Sequence, residues 1–312
     1  MLPIEATALS PVLPQVEVPT TFKLGRRRIP FGEVSRRVEG SLWGEILSHN
    51  TRFDGYKPEG TSNERWVQLL GSDVHNRDHQ RHQYGLTRQG IKYHLAHEHA
   101  GNILHPDARL SVSEQQTALL LASLHDIAES IHGDKPAPLK TAQDDDEELA
   151  TLSWMIPQML DGYNRRRVDT ITPRLINILR HPQKDKIGRL FKTWERVGYL
   201  RTGLTAWHRA HPDLTPDRKS KQDIQLTNGE KRNLTWLGHD MVQFYVPGFI
   251  KQADIYPSVD AFLVGGRHHI SHVYSNAEQV WDKNSMTDDQ ADKFMSTRDI
   301  WHDFLHRRGI SA

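Results

Sequence analysis

An imidazole beside a carboxylate, with a second carboxylate one helical turn further on, is what His125-Asp126 and Glu129 offer. They lie in the stretch Leu119-Leu-Leu-Ala-Ser-Leu-His-Asp-Ile-Ala-Glu-Ser-Ile-His-Gly-Asp-Lys-Pro-Ala-Pro-Leu-Lys140. Imidazole and carboxylate together suit a divalent ion such as Mn, Fe, Co, Ni or Zn. A nearby acid that is not a ligand can give or take a proton. Metal and free acid together are the apparatus of phosphoester hydrolysis.

The dipeptide alone carries little weight. With 19 His and 24 Asp in 312 residues, about 1.5 such pairs arise by chance, and short motifs share that risk. The chain has three. His239-Asp240 follows Gly238 at an expected helix start, where Asp suits the first turn. His302-Asp303 lies with His306 in an expected C-terminal surface helix, without a catalytic carboxylate pattern. His125-Asp126 stands apart because a capped apolar helix leads into it.

That helix spans 111–131. Ser111 and Glu114 form a capping-box signature, Ala118 to Leu124 is apolar, and Gly133, Pro136 and Pro138 end it. Within it His125 and Glu129 are i and i+4, on one face. Asp126 sits about 100° round from His125. Two ligands do not make a stable site, so another His and another carboxylate must come from elsewhere. An expected helix at 88–104, with Ile91, Leu95, Ile103 and Leu104 on one stripe, offers His94 and His97 on one face and His99 away from both. Lys251-Gln-Ala-Asp254-Ile255 offers a carboxylate among Phe249, Ile250 and Ala253, where it is costly unless paired or metal-bound.

Around these elements the pattern predicts an all-α chain. Residues 1–30, rich in Pro and basic from Lys23 to Arg28, read as an extended or disordered arm. One or two short helices are expected in 31–70, and a loop at Asp73–His82. Helices are expected at 143–161, with acids suiting its first turn, and within 173–210. A loop is expected at 212–232, and further helices at 233–246, 248–264 and 287–308, with breaks at Pro247 and Pro257.

Composition excludes several classes. The chain has no Cys, so disulfides, thiolate metal sites and Cys nucleophiles are out. Forty Lys and Arg balance thirty-nine Asp and Glu, so no global basic field signals nucleic acid or membrane. No apolar run is long enough for a membrane helix, and the first residues lack a secretory-signal pattern. A cytoplasmic protein is expected. A Gly-rich phosphate loop is absent.

The His125–Lys140 block resembles a motif of the HD-domain phosphohydrolases, closest to the bacterial 5′-deoxynucleotidase group: His-Asp, then Glu three residues after the Asp, then Gly-Asp-x-Pro-x-Pro-x-Lys. Lys251-Gln-Ala-Asp254 resembles that group's closing Lys-x-Ala-Asp. The likeness covers roughly 88–141 and 248–264. It implies an HD-type helical bundle over 31–312 and a divalent metal (Mn, Co, Fe, Ni, Zn or Mg) held by His94, His125, Asp126 and Asp254. Glu129 would be the general acid or base, and Asp134 would position the nucleophile or the phosphate end. Lys140 would lend charge, and the substrate-contacting Arg of the family would be Arg88 or Arg81.

The family's first His usually follows a small or acidic residue and precedes Ser. Tyr93-His94-Leu95 does not, so His97 and His99 remain alternatives. The gap from Asp126 to Asp254 is about twice that of compact members, which implies an insertion near 165–235. The resemblance implies a nucleotide substrate and, by analogy, a homo-oligomer. The leading expectation is a 5′-(deoxy)nucleotide monophosphatase. A deoxynucleoside triphosphate triphosphohydrolase is the alternative, with Arg165-Arg-Arg167 and the basic residues from Arg174 to Lys192 as holders of extra phosphates. A non-catalytic nucleotide-binding or regulatory module is the reading from another class; Glu129 and Asp134 argue against it.

Overall fold

Residues 21–30 pair as an antiparallel hairpin, β1 (Thr21–Leu24) and β2 (Arg27–Pro30). This part of the expected extended arm is therefore ordered structure: Phe22, Leu24 and Ile29 are buried and tie the segment to the core. The alternation of buried and exposed residues follows the two-residue period of a strand. In this computed structural model residues 14–71, 74–101, 109–135, 140–214, 224–280 and 288–311 are described.

The remaining elements are helical, and the fold is all-α apart from the hairpin. Helices α1 (Phe31–Glu39), α2 (Leu42–His49) and α3 (Asn63–Leu70) fill the region of the expected short helices. Helix α4 (Asn76–His99) starts well before residue 88. The polar stretch expected as a loop is thus its first turns: Asn76, His79, Gln80 and Gln83 are buried there, facing polar partners that hydrophobic periodicity does not register. Ile103, Leu104, Asp73, Pro136 and Pro138 lie outside the described residues, as do residues 1–13 of the expected arm.

Helix α5 (Val112–Leu124) opens with the expected Ser111–Glu114 capping box, and Ala118 to Ala122 are fully buried or nearly so. It ends at Leu124; His125–Ala128 form a turn into the short α6 (Glu129–His132). The chemistry-bearing residues therefore sit where the regular helix stops, not along its flank. Helix α7 (Ala142–Met159) has its own capping box from Thr141 and Asp144. Helices α8 (Arg165–Arg180) and α9 (Lys186–Ala210) fill much of the expected insertion.

Helix α9 lies against α4, α5 and α10 (Asn228–Ala253) and belongs to the central bundle. Helix α10 runs through Pro247 because Val246, Phe249 and Ile250 are buried on either side of it and the proline removes a single N–H. Pro257 instead opens α11 (Pro257–Gly265), followed by α12 (Arg267–Val280) and α13 (Asp288–His306). Among the described residues no helix is long and apolar enough to cross a membrane.

Glycines set the spacing of the bundle. A Cβ on Gly90 of α4 would overlap the Trp194 indole of α9, and one on Gly238 of α10 would meet Trp207 Cβ of α9 at 2.5 Å. The first contact brings the α4 and α9 axes close, which carries their polar residues toward the end of α5.

Candidate metal centre

His125 and Asp126 leave the end of α5, and His79 leaves the first turns of α4; all three side chains are buried. Their ligand atoms lie within 4.8 Å of one another. His125 Nε2 is 2.8 Å from Asp126 Oδ1, and His79 Nε2 is 3.5 Å from Asp126 Oδ2. A fourth donor comes from α9: Glu195 Oε1 is 3.5 Å from His125 Nε2. Its other oxygen takes Lys192 Nζ at 2.7 Å. The Phe191 ring meets His125 edge-on, and Tyr199 stacks on His79.

The donor set fits a divalent cation. His79 Nε2, His125 Nε2 and Asp126 Oδ2 are buried without a hydrogen bond, a cost that a shared cation would remove. Five buried or half-buried carboxylates (Asp126, Glu129, Asp134, Glu148, Glu195) face three cations (Arg52, Lys140, Lys192). With all five acids ionised, the excess is two negative charges, which one divalent ion balances; a proton on one of the acids trims the same excess.

The carboxylates differ in character. Burial pushes Asp126 up, but His125, His79 and Arg52 together outweigh it and hold the group below the usual range. Burial raises Glu129 well above the carboxylate range, with Asp126 and Asp134 adding to the rise against Arg52 and Lys140. The surroundings thus favour the charged form of Asp126 and the neutral form of Glu129, two characters set by environment. Asn76 Nδ2 donates to Glu129 Oε2 at 2.8 Å, and Asn50 Nδ2 to its backbone oxygen at 3.3 Å.

Asp134 is bound to a strained turn. It accepts the Phe53 N–H at 2.9 Å and lies 3.8 Å from Arg52 Nε. Among the described residues Phe53 is the one non-glycine with positive φ, at 62°, a conformation that costs on the order of 1–3 kcal/mol. Arg52 is 2% exposed, lies over the Tyr199 ring at 4.5 Å, and has Nε and Nη2 without hydrogen bonds. Its backbone is fixed by bonds to Val74 and Trp66. Lys140 is held by Glu148 at 2.6 Å, within electrostatic reach of Glu129 and Glu195.

Two expected ligands lie elsewhere. His94 is fifteen residues after His79 on the same helix, about 22 Å along its axis at 1.5 Å per residue; it is buried against the Tyr256 ring. His97, which packs on Tyr93, and His99 are further along still. Asp254 caps the end of α10 with its side chain 65% exposed and pairs with Arg308 at 3.5 Å. The apolar neighbours that make it look costly in the sequence face the core while the carboxylate faces out. Arg88 is exposed on α4, about 14 Å along the axis from His79, and Arg81 is engaged by Glu39 at 2.6 Å.

His79, Glu195 and Arg52 are the residues that sequence reasoning passes over. His79 follows Asp78, the acidic predecessor that Tyr93-His94 lacks, and Lys192-Thr-Trp-Glu195 has the same Lys-x-x-acid spacing as Lys251-Gln-Ala-Asp254. Arg52 leaves no such signal. Its place depends on a bridge between Thr51 and His75. A separate cavity of about 470 Å³ between α7 and α8, lined by Ser153, Pro157, Thr172 and Ile176, shares no residue with this cluster. No family model, curated protein or solved structure matches the chain.

Proposed function

We propose that the protein is a metal-dependent phosphohydrolase acting on nucleotides, in the first instance a 5′-(deoxy)nucleotide monophosphatase. The observation that carries this reading is the convergence of His79, His125 and Asp126 in one buried group, beside the high-pKa Glu129. His79, His125 and Asp126 would hold the ion, with Glu195 as the fourth donor. When bound, the cation supplies Lewis acidity toward a phosphoryl oxygen and toward water.

The chain's own residues supply the rest. Glu129 carries a proton that the departing alkoxide oxygen needs. The Asn76 amide occupies its Oε2, which leaves the proton to Oε1. Arg52 places a fixed positive charge beside the cluster for phosphoryl oxygens, with two N–H groups ready to donate. Asp134 holds Arg52 and the Phe53 turn in place, a positioning role. The triphosphate alternative rests on Arg165–Arg167, which lie exposed on α8 against the hairpin, and on the basic residues from Arg174 to Lys192, of which Arg180 pairs with Asp146, Lys186 with Glu114 and Lys192 with Glu195, so nothing specific favours it.

A panel of deoxynucleoside and nucleoside monophosphates and deoxynucleoside triphosphates, assayed with Mn²⁺, Co²⁺, Mg²⁺ and Zn²⁺ and with products identified, tests the reading. Inorganic phosphate from monophosphates is expected with at least one metal. Triphosphate release from the triphosphates would move the assignment to the alternative. Metal binding without hydrolysis of any nucleotide would leave a binding module.

A further inference from the structure

Seven cations from two distant segments come together on one surface. Lys23, Arg26, Arg27 and Arg28 belong to the hairpin, and Arg165, Arg166 and Arg167 to the first turn of α8; all are exposed. The contact is direct. Gly25 turns the hairpin at φ 69°, and a Cβ there would lie 3.6 Å from Arg167 Cγ and 3.7 Å from Asn164. Arg27 also acts electrostatically on Tyr163, just before that turn. Some other surface arginines find acids, as Arg37 does with Glu33 and Arg81 with Glu39. Among the described residues none of these seven forms an ion pair, and the flanking Asp161 and Asp169 pair with none of them.

Both segments hold these charges at a local cost. Lys23 stands directly opposite Arg28 across the strand pair, and like charges so placed are destabilising. Helix α8 has no acid in its first turn but three arginines, at the end where the helix dipole disfavours cations. Helices α5, α7 and α10 carry acids there. An anion over the surface would relieve both conflicts together.

We propose that the β1–β2 hairpin and the first turn of α8 form a docking surface for the phosphodiester backbone of nucleic acid. Three consecutive helical arginines fan over about 200°, which suits an extended polyanion better than one small anion. Six of the seven are Arg, whose planar fork matches phosphate oxygens in pairs. Among the described residues the exposed large apolar side chains (Leu42, Val112, Ile131, Trp154, Trp236, Phe244 and Ile300) all lie outside both segments, so the described part of the surface carries no apolar anchor of the kind a membrane-binding face uses. The surface is also remote from the metal centre: Gln116, which bonds Thr21, is nine residues before His125 on α5, about 14 Å along the axis.

Fluorescence anisotropy of labelled 20-nucleotide RNA and DNA with the full chain tests this. Binding is expected, with log K falling against log salt at about −0.7 per phosphate contact for a single strand. Arg26/Arg27/Arg28→Gln and Arg165/Arg166/Arg167→Gln should each weaken binding by at least about tenfold at low salt, since each removes three contacts. Arg307→Gln, just past the end of α13, should leave it unchanged. Asp126→Ala should also bind as the parent does, which separates this surface from the hydrolase reading. Lys23→Gln is expected to raise the melting temperature by removing the like-charge pair. No binding of either nucleic acid at low salt, parent-like binding by either triple variant, or capture by anionic phospholipid vesicles in place of the oligonucleotides would overturn the proposal.

Discussion

His79 and His94 are both buried histidines on one helix, yet they stand in different surroundings. His79 faces Asp126 and His125, and burial with Arg52 nearby pushes its imidazole well below the usual range; His94 packs on Tyr256. His79→Ala and Asp126→Ala should therefore lose bound metal and hydrolysis, while His94→Ala and Asp254→Asn keep the metal. Metal content after dialysis decides it, and full occupancy in His79→Ala would remove that residue from the site. Glu129→Gln should retain metal and lose turnover by about 10²–10⁴-fold, the usual contribution of a positioned acid. Glu195→Gln should weaken metal affinity, by about 10–100-fold if it acts from beside the ligands and by more if it coordinates, as titration would measure.

Among the elements, it is the approach of α4, α5 and α9 that assembles the site. Gly90 allows α4 to reach Trp194 on α9. Gly90→Ala should destabilise the fold by about 1–3 kcal/mol through overpacking, read as a lower denaturant midpoint. It should weaken metal binding too, since His79 and Glu195 ride on the two helices forced apart. Asp134→Ala leaves the Phe53 N–H and the buried Arg52 without their carboxylate. Breaking a buried pair in this way costs about 3–5 kcal/mol, so its unfolding midpoint should drop more than that of Gly90→Ala.

Over the molecule as a body, buried histidines far from the metal centre make stability depend on acid. Burial lowers His208 to about 3, His211 to about 4 and His239 to about 3. Each is neutral when folded and takes a proton when unfolded below about pH 6.5. The stability they contribute is complete above that pH and is lost as pH falls through about 6.5 toward the folded-state values, at up to about 1.4 kcal/mol per pH unit for each group. Melting temperatures should fall steeply between about pH 7 and pH 4.5, the window below the unfolded histidine pKa. His239→Phe, set against Phe294, should flatten the slope. An unchanged slope would place the acid sensitivity elsewhere. Charge is unevenly spread at this scale as well: a chain with net charge +1 gathers the exposed cations of the hairpin and of the α8 start on one surface.

The all-α class, the capping box of α5, the acidic start of α7, and the His125-Asp126 and Glu129 constellation were legible in the amino-acid order because they depend on residues near one another in the chain. Helical period, caps and breakers are local, and so is a motif of sixteen residues. Which distant residues join them is a matter of packing. His79 is hidden in the sequence because a polar helix start that buries its polar face has no apolar stripe to announce it. Glu195 and Asp254 share a spacing after Lys; their tertiary surroundings turn one carboxylate inward and the other to solvent. Arg52 reaches the centre through a strained turn pinned by Asp134. The basic surface exists because the hairpin folds back onto the start of α8, far along the chain, and no local pattern encodes that contact.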